Sequence, residues 1–512
     1  MSHLYALLLS FALCAATLVF RSRWSSTRNL PPGPPGWPII GNLLTFPLRE
    51  LWTSMKQLSR VQGGMVHFHG LGHSMIILND LEDIHELFHR RGQNYSNRPY
   101  FPFACGMLGL DQSTALMSLG KTMSLHRRLA HTVLTQESIK KYQPVQEDVA
   151  ALMVDGLLKN PDNFAKITSL ATTRIITTIT YGFSVKEDGD EYMKLVNATM
   201  DIVNSSAQFG AHLVDAIPSL RYAPSWLPFS LNERAKKGKA LVDKLVNLPF
   251  EAVKKRSSMA LIPPSPINLE LTHISESTEQ FEHAIKWTAA TLYAGNPMKF
   301  TFLNTHVVLM TCIMLMALHP EKQKMAQEEL DRVVGPDELP TISDSTSLPI
   351  LGAIIKETLR WHPALPLGIA HVSAQDDVYK GYQIPAGTIL VPNICALASG
   401  EDDIHDSTAF YPERFLDSTS KTPDPGAYVF GFGRRVCPGK HLAESSLFIL
   451  IATMLCCFDI RLPLDRSGHE IPIDPKFYFG FVSHPQAFKC IFAVRSNSKA
   501  IAIAKRAAQS TI

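Results

Sequence analysis

The residues with the most chemical content lie in the run Phe430-Gly431-Phe432-Gly433-Arg434-Arg435-Val436-Cys437-Pro438-Gly439. Gly431 and Gly433 let the backbone turn tightly and bring amide groups near the sulfur. An apolar, helix-like stretch follows from 442 to 458, so Cys437 falls just before a helix N-terminus, where the dipole favours a thiolate. Arg435 is close enough in sequence to pair with an anionic group beside whatever the sulfur binds. Taken alone, a single cysteine is more often a small buried hydrophobe. Further back, Lys356-Glu357-Thr358-Leu359-Arg360 puts Glu357 and Arg360 at i, i+3 on one helical face. The ordinary fate of that spacing is a solvent-exposed ion pair of little consequence.

The elements that must position these groups are mostly helical. Apolar periodicity predicts helices over 136–158, 164–181, 191–209, 232–256, 280–293, 302–318, 321–334 and 351–361. Short β-branched segments at 64–68, 74–78 and 378–391 predict a small sheet, with turns at Gly381 and Gly387. The segment 257–279 reads as a surface loop. With 46% apolar and 19% charged residues the chain suits a large globular core and excludes a disordered or collagen-like protein. No repeat or second linker divides it, so one domain over 43–512 is the expectation. The net charge is +3, and four basic residues precede the first acid, Glu50. No global basic field remains, which argues against nucleic acid as a partner. The eight cysteines form no CxxC pair, which argues against a zinc ribbon or disulfide framework and for a reducing compartment.

Residues 4–20 form an uncharged run of seventeen, at the short end of a bilayer-spanning helix. Arg21, Arg23 and Arg28 follow it, and the positive-inside rule then keeps the rest of the chain in the cytosol. A cleaved signal peptide fits less well, because no basic residue precedes the run. The basic and proline-rich segment 21–42, with Pro31-Pro32-Gly33-Pro34-Pro35-Gly36, reads as a stiff hinge between anchor and body. The sequons at Asn94, Asn197 and Asn204 would go unmodified in a cytosolic body.

The ten-residue run resembles the cytochrome P-450 (haem-thiolate) superfamily, whose pattern Phe-x-x-Gly-x-Arg-x-Cys-x-Gly is met at Phe430, Gly433, Arg435, Cys437 and Gly439. The likeness covers nearly the whole chain and is of the fungal microsomal type. It includes the anchor, the proline-rich hinge, 280–295, Ala317-Leu318-His319-Pro320, 381–393 and 410–415. It implies a mainly α fold with a small β subdomain and one haem b whose iron is held by the Cys437 thiolate, which pushes electron density to favour O–O cleavage. It also implies that Glu357 and Arg360 join Arg414, of Pro412-Glu413-Arg414-Phe415, in a buried network that holds the loop under the haem. Such a network needs every member, because an unpaired buried charge is costly. Arg127 and His371 fall where relatives bind haem propionates. The implied function is a membrane-anchored monooxygenase of the endoplasmic reticulum, inserting one atom of O2 into a lipophilic substrate in secondary or xenobiotic metabolism. Electrons would come from a separate NADPH-dependent flavoprotein reductase, since no G-x-G-x-x-G dinucleotide motif is present. By the same likeness 101–116, 204–226, 288–295, 365–369 and 479–482 would line the substrate pocket.

Three departures from the family pattern bear on function. Met123 stands where relatives have a tryptophan, so Arg127 would serve its carboxylate without an indole donor. Val372 follows His371 where relatives often have arginine, which removes a cation. After Ala294-Gly295, the family's acid–threonine pair is replaced by Asn296-Pro297-Met298-Lys299-Phe300-Thr301, and no Asp or Glu occurs between Glu282 and Glu321. Pro297 should end or kink the helix, leaving Thr301 and Thr305 as the displaced threonines. A gene-model error inside one helix would account for this, and so would altered oxygen chemistry. The rival functions are therefore a haem-thiolate isomerase, dehydratase or peroxide user, and a haem-binding protein without turnover.

Overall fold

A computed structural model describes residues 29–37, 40–47, 51–185, 191–206, 212–224, 231–257, 279–294, 302–399, 406–510 and 512. The expected anchor at 4–20 and the residues 257–279, apart from their ends, lie outside this set. The chain clusters into two compact units. The smaller contains the described residues up to Pro99 together with 367–397 and 431–435; the larger contains 100–366, 398–430 and 436–512.

In the smaller unit, α1 (Leu51–Gln62) precedes a four-stranded sheet of order β1-β2-β6-β3, built from β1 (Met65–Gly70), β2 (His73–Leu78), β3 (His371–Val372) and β6 (Ile389–Pro392). β1 and β2 are antiparallel with Met65 opposite Leu78, β2 runs parallel to β6 with Ile77 opposite Val391, and β3 is antiparallel to β6. A separate hairpin joins β4 (Asp377–Tyr379) to β5 (Tyr382–Ile384). Both hairpins turn on two successive residues of positive φ, Leu71-Gly72 and Lys380-Gly381, the two-residue turn that matches strand twist. The proline-rich stretch is fastened to this unit. His67 N donates to Pro32 O at 2.8 Å, and Asn42 Nδ2 donates to Pro34 O at 2.9 Å.

The larger unit is helical and carries the core. Its main helices are α2 (Lys121–Leu134), α3 (Gln143–Lys159), α4 (Phe164–Tyr181), α5 (Asn232–Ser257), α6 (Glu279–Ala294), α7 (Phe302–Leu318), α8 (Pro320–Val333), α9 (Pro349–Trp361), α10 (Lys440–Cys457) and α11 (Asn497–Gln509). A two-stranded ladder pairs β7 (Phe458–Arg461) with β8 (Ile491–Val494). Among the described residues α10 is the one helix long and apolar enough to cross a bilayer. It is instead the core helix, with Ile449, Leu450, Ile451 and Ala452 fully buried among α3, α7, α8 and α9. A helix apolar on all sides needs such a jacket. Its polar contacts are satisfied locally, since Gln146 Nε2 on α3 donates to Ser445 Oγ and Ser446 Oγ at 2.8 and 2.7 Å.

Polar groups fix the neighbouring helices. Gln323 on α8 bridges Met316 O and Ile460 O, and its Oε1 accepts from Ile460 N at 2.7 Å. The buried Glu329 carboxylate accepts from Ile350 N and Leu351 N at 3.0 Å each, which caps the first turn of α9. That is where helix dipole and unpaired amides both favour a negative group. The helices expected over 280–293 and 302–318 are present as α6, ending at Ala294, and α7, beginning at Phe302. Asn296, Pro297 and Thr301 lie between them, outside the described residues.

Candidate functional site

In the larger unit, Cys437 sits in the loop that leads into α10, whose N-cap is Gly439. Cys437 N donates to Phe430 O at 2.8 Å, so the loop doubles back on itself just before the helix. The Lys440 ammonium lies 5.6 Å from the centroid of the Phe430 ring and donates to Gly426 O at 2.8 Å. Arg127 on α2 donates from Nη1 to Val436 O at 3.0 Å, which places its guanidinium at the residue preceding the cysteine. Burial lowers the pKa of Arg127, and the Cys437 sulfur opposes that shift. Met123, one turn earlier on the same face, is buried.

The same unit holds the ion network. Glu357 is 0% exposed, and Arg360 and Arg414 are each 2% exposed. Arg360 grips the carboxylate with two bonds, Nε to Oε2 at 2.7 Å and Nη2 to Oε1 at 2.9 Å. Arg414 Nε lies 3.2 Å from Oε2 and 3.3 Å from Oε1, and Tyr411 N donates to Oε1 at 2.8 Å. Further guanidinium donors reach backbone: Arg360 to Ala398 O, Ser407 O and Ala409 O, and Arg414 to Asp406 O. The network therefore staples the segment 406–415 to α9.

The smaller unit holds a second cluster. Its segment 431–435 passes so close to a neighbouring turn that a Cβ on Gly433 would lie 2.3 Å from Phe88 O, and the φ of Gly433 is +50°. Only glycine fits that backbone and that approach. Phe432 packs against Phe88, with ring centroids 6.1 Å apart. Arg435 is buried and donates from Nε to Ser96 O at 2.7 Å. Beside it lies Arg98, also buried, whose Nη1 donates to Ile369 O and Ala370 O at 2.8 and 2.7 Å. Burial, and then the like charge of Arg435, hold the Arg98 pKa well below its ordinary value.

His371 belongs to this cluster. It is buried, stacks on Phe88 with centroids 3.9 Å apart, and has Nδ1 2.6 Å from Tyr95 O. Because a carbonyl only accepts, Nδ1 carries the proton and Nε2 of the neutral ring is an acceptor. Burial first, then Arg98, push its pKa well down. The cation missing at Val372 is thus matched by Arg98, a residue that periodicity and motif reading passed over. Its signal was the extended Ser96-Asn97-Arg98-Pro99, since a residue before proline avoids the helix and can run beside a strand. Asn97 O indeed accepts from Val372 N of β3 at 3.0 Å. Of the two threonines named from sequence, Thr305 is buried on α7, and Thr301 lies outside the described residues.

The sequence profile described as Cytochrome P-450 matches residues 31–492. Among curated proteins, the chain is 34% identical over 488 residues to cytochrome P-450 monooxygenase COX1 of Coprinopsis cinerea, covering 93% of each. It is 35% identical over 481 residues to cytochrome P-450 monooxygenase ppsD of Aspergillus oryzae, covering 92% of this chain and 89% of that protein. Cytochrome P-450 monooxygenase claR of Ampulloclitocybe clavipes is 34% identical over 494 residues, covering 95% and 90%. The chain belongs to the cytochrome P-450 family, and its enzymatic class is that of the family's monooxygenases. The family implies a haem with cysteine-thiolate ligation, dioxygen, a small-molecule substrate and a redox partner.

The residues present fit that group. A thiol lies just before a helix N-terminus, where negative charge is favoured. Two guanidiniums are buried side by side in the smaller unit, a donor set suited to carboxylates. The buried Ser96 Oγ, next to the carbonyl that Arg435 binds, has no hydrogen-bond partner among the described residues.

Proposed function

We propose that this chain is a membrane-anchored haem-thiolate monooxygenase that inserts one atom of O2 into a lipophilic substrate. It takes electrons from an NADPH-dependent flavoprotein reductase at the endoplasmic reticulum membrane. The observation that carries the reading is the Cys437 loop, folded back on Phe430 O and entering the core helix α10. When bound, haem b supplies the oxidising chemistry. The chain's own residues do the rest. Cys437 would ligate the iron, and Arg127, beside it in the larger unit, would offer charge to a carboxylate; in the smaller unit Arg98 and Arg435 are buried cations suited to carboxylates, and His371 holds its proton on Nδ1 toward Tyr95 O and stacks on Phe88. Glu357, Arg360 and Arg414 position the segment 406–415 and do no chemistry.

The test is spectroscopic and catalytic. Cys437→Ser should abolish the red-shifted thiolate band of the reduced carbon monoxide complex, because a serine hydroxyl stays protonated where a cysteine beside a metal ionises. Persistence of that band in the serine variant would overturn the ligand assignment. A second reading, an isomerase, dehydratase or peroxide user, is favoured by one observation: no carboxylate lies between Glu282 and Glu321 to supply protons. Product formation without NADPH or reductase would select it.

A further inference from the structure

A π-helical turn, His85–Arg90, precedes the buried cluster of the smaller unit, and its wide pitch is marked by Arg91 N donating to Glu86 O at 2.9 Å. Such turns are rare and often sit at functional positions. His85 and His89 lie four residues apart on it, and both side chains are exposed. Their ring centroids are 6.2 Å apart, with the planes inclined by 39°. Neither imidazole is engaged by a hydrogen bond or ion pair within the described residues. Glu86, next to His85 in sequence, is occupied by Arg90 at 3.2 Å and Arg91 at 2.9 Å, so those two cations are compensated where they flank the pair.

We propose that His85 and His89 form a chelating site for a single borderline transition-metal ion, with Zn2+ or Cu2+ the fitting class. Imidazole nitrogen suits these ions and does not suit Mg2+ or Ca2+, which want oxygen. Two imidazoles on one Zn2+, each bonded at about 2.0–2.1 Å, bring their ring centres to roughly 5 Å. The rings here need to close by about 1 Å, within the χ rotation open to two exposed side chains. Water completes the coordination, so the site is open on its outer side. It acts on the loop it covers. His85 packs edge-on to Phe432 at 6.2 Å, and the Cα of His89 would lie 3.2 Å from a Cβ on Gly433. A metal bridging the two histidines therefore stiffens the turn against which the segment 431–435 rests. The binding itself does not depend on the function proposed above.

The experiment uses the full-length haem-loaded chain, titrated with Zn2+ alone by equilibrium dialysis. Wild type is compared with His85→Gln and His89→Gln, and with His73→Gln, an exposed histidine with no ring beside it. One Zn2+ site per chain should be present in wild type and His73→Gln. It should weaken by roughly 10²-fold in each of the other two, the advantage of a second ligand held on the same turn. X-ray absorption at the zinc edge should show two imidazole nitrogens with oxygen ligands. Zn2+ should raise the thermal midpoint of wild type and leave that of both pair variants unmoved. Equal binding in all four proteins would mean an adventitious ion only and overturn the proposal, as would full retention in either pair variant. Both positions are exposed, and should one variant fail to take up haem, the other decides.

Discussion

Glu357→Gln is the substitution whose effect can be worked furthest from the structure. The carboxylate is fully buried and accepts four hydrogen bonds, from Arg360 Nε and Nη2, Arg414 Nε and Tyr411 N. Glutamine keeps the shape, removes the charge and turns one acceptor oxygen into an NH2 facing guanidinium donors. Breaking a buried pair in this way costs about 3–5 kcal/mol. The backbone carbonyls that also hold Arg360 and Arg414 set the value toward the lower end. Against a total stability of roughly 5–15 kcal/mol, that is a large share. Expressed as a shift in the folded-to-unfolded ratio, about 3 kcal/mol is roughly 10²-fold. The assay is haem per polypeptide from the reduced carbon monoxide spectrum, paired with the half-life of thermal inactivation. Lys356→Ala provides the internal comparison, because its ion pair with Asp424, at 2.7 Å, is solvent-exposed and such pairs contribute about 0–1 kcal/mol. If Glu357→Gln behaves like Lys356→Ala, the network is not what holds 406–415, and the reasoning fails.

Arg98→Leu should lower haem retention while Asn97→Ala, which keeps the backbone bond to Val372, leaves it intact; competition by apomyoglobin measures both. Burial raises the Asp215 pKa to about 6, opposed by the amide of Phe103. Since the folded-state value lies above the unfolded one, the neutral acid is favoured in the fold at low pH, and that stabilisation is lost as pH rises through about 6. Asp215→Asn should therefore raise the thermal midpoint more at pH 7.5 than at pH 5, and an equal gain at both would refute the burial argument. The unaltered chain should couple NADPH oxidation to product poorly, because general acid assistance is worth about 10²–10⁴-fold and its carboxylate is missing. Peroxide formed per NADPH measures this, and tight coupling would show that a threonine or water carries the proton.

Local capping signals determine several element boundaries. Phe164–Tyr181 ends at Gly182 with φ +71°, and Phe302–Leu318 stops before His319-Pro320, as capping chemistry dictates. The span 136–158 was read as one helix and is two, Gln136–Lys140 and Gln143–Lys159, because Pro144 suits a first turn and not an interior. Cys437, Arg435 and Gly433 were legible because they are packed into ten residues. Arg98 was not, because its partners Ile369 and Ala370 are some 270 residues away and its burial has no local pattern. The cap supplied by Glu329 and the neutral tautomer of His371 are likewise products of tertiary placement. Residue type alone would have made the one a surface acid and the other a cation.

The bonds that shape the cysteine loop have a consequence for biosynthesis. Arg127 and Val436 are 309 residues apart in sequence, Arg435 and Ser96 are 339 apart, and Gln146 and Ser446 are 300 apart. At roughly 5–20 residues per second, the early partners wait on the order of a minute before the late ones leave the ribosome. Arg98, Arg127 and Gln146 are thus polar groups that must stay hydrated through most of translation and lose their water together at its end. A chain stopped short of Phe430 therefore holds most of the helices and none of the loop that carries Cys437, which ties haem capture to nearly complete synthesis.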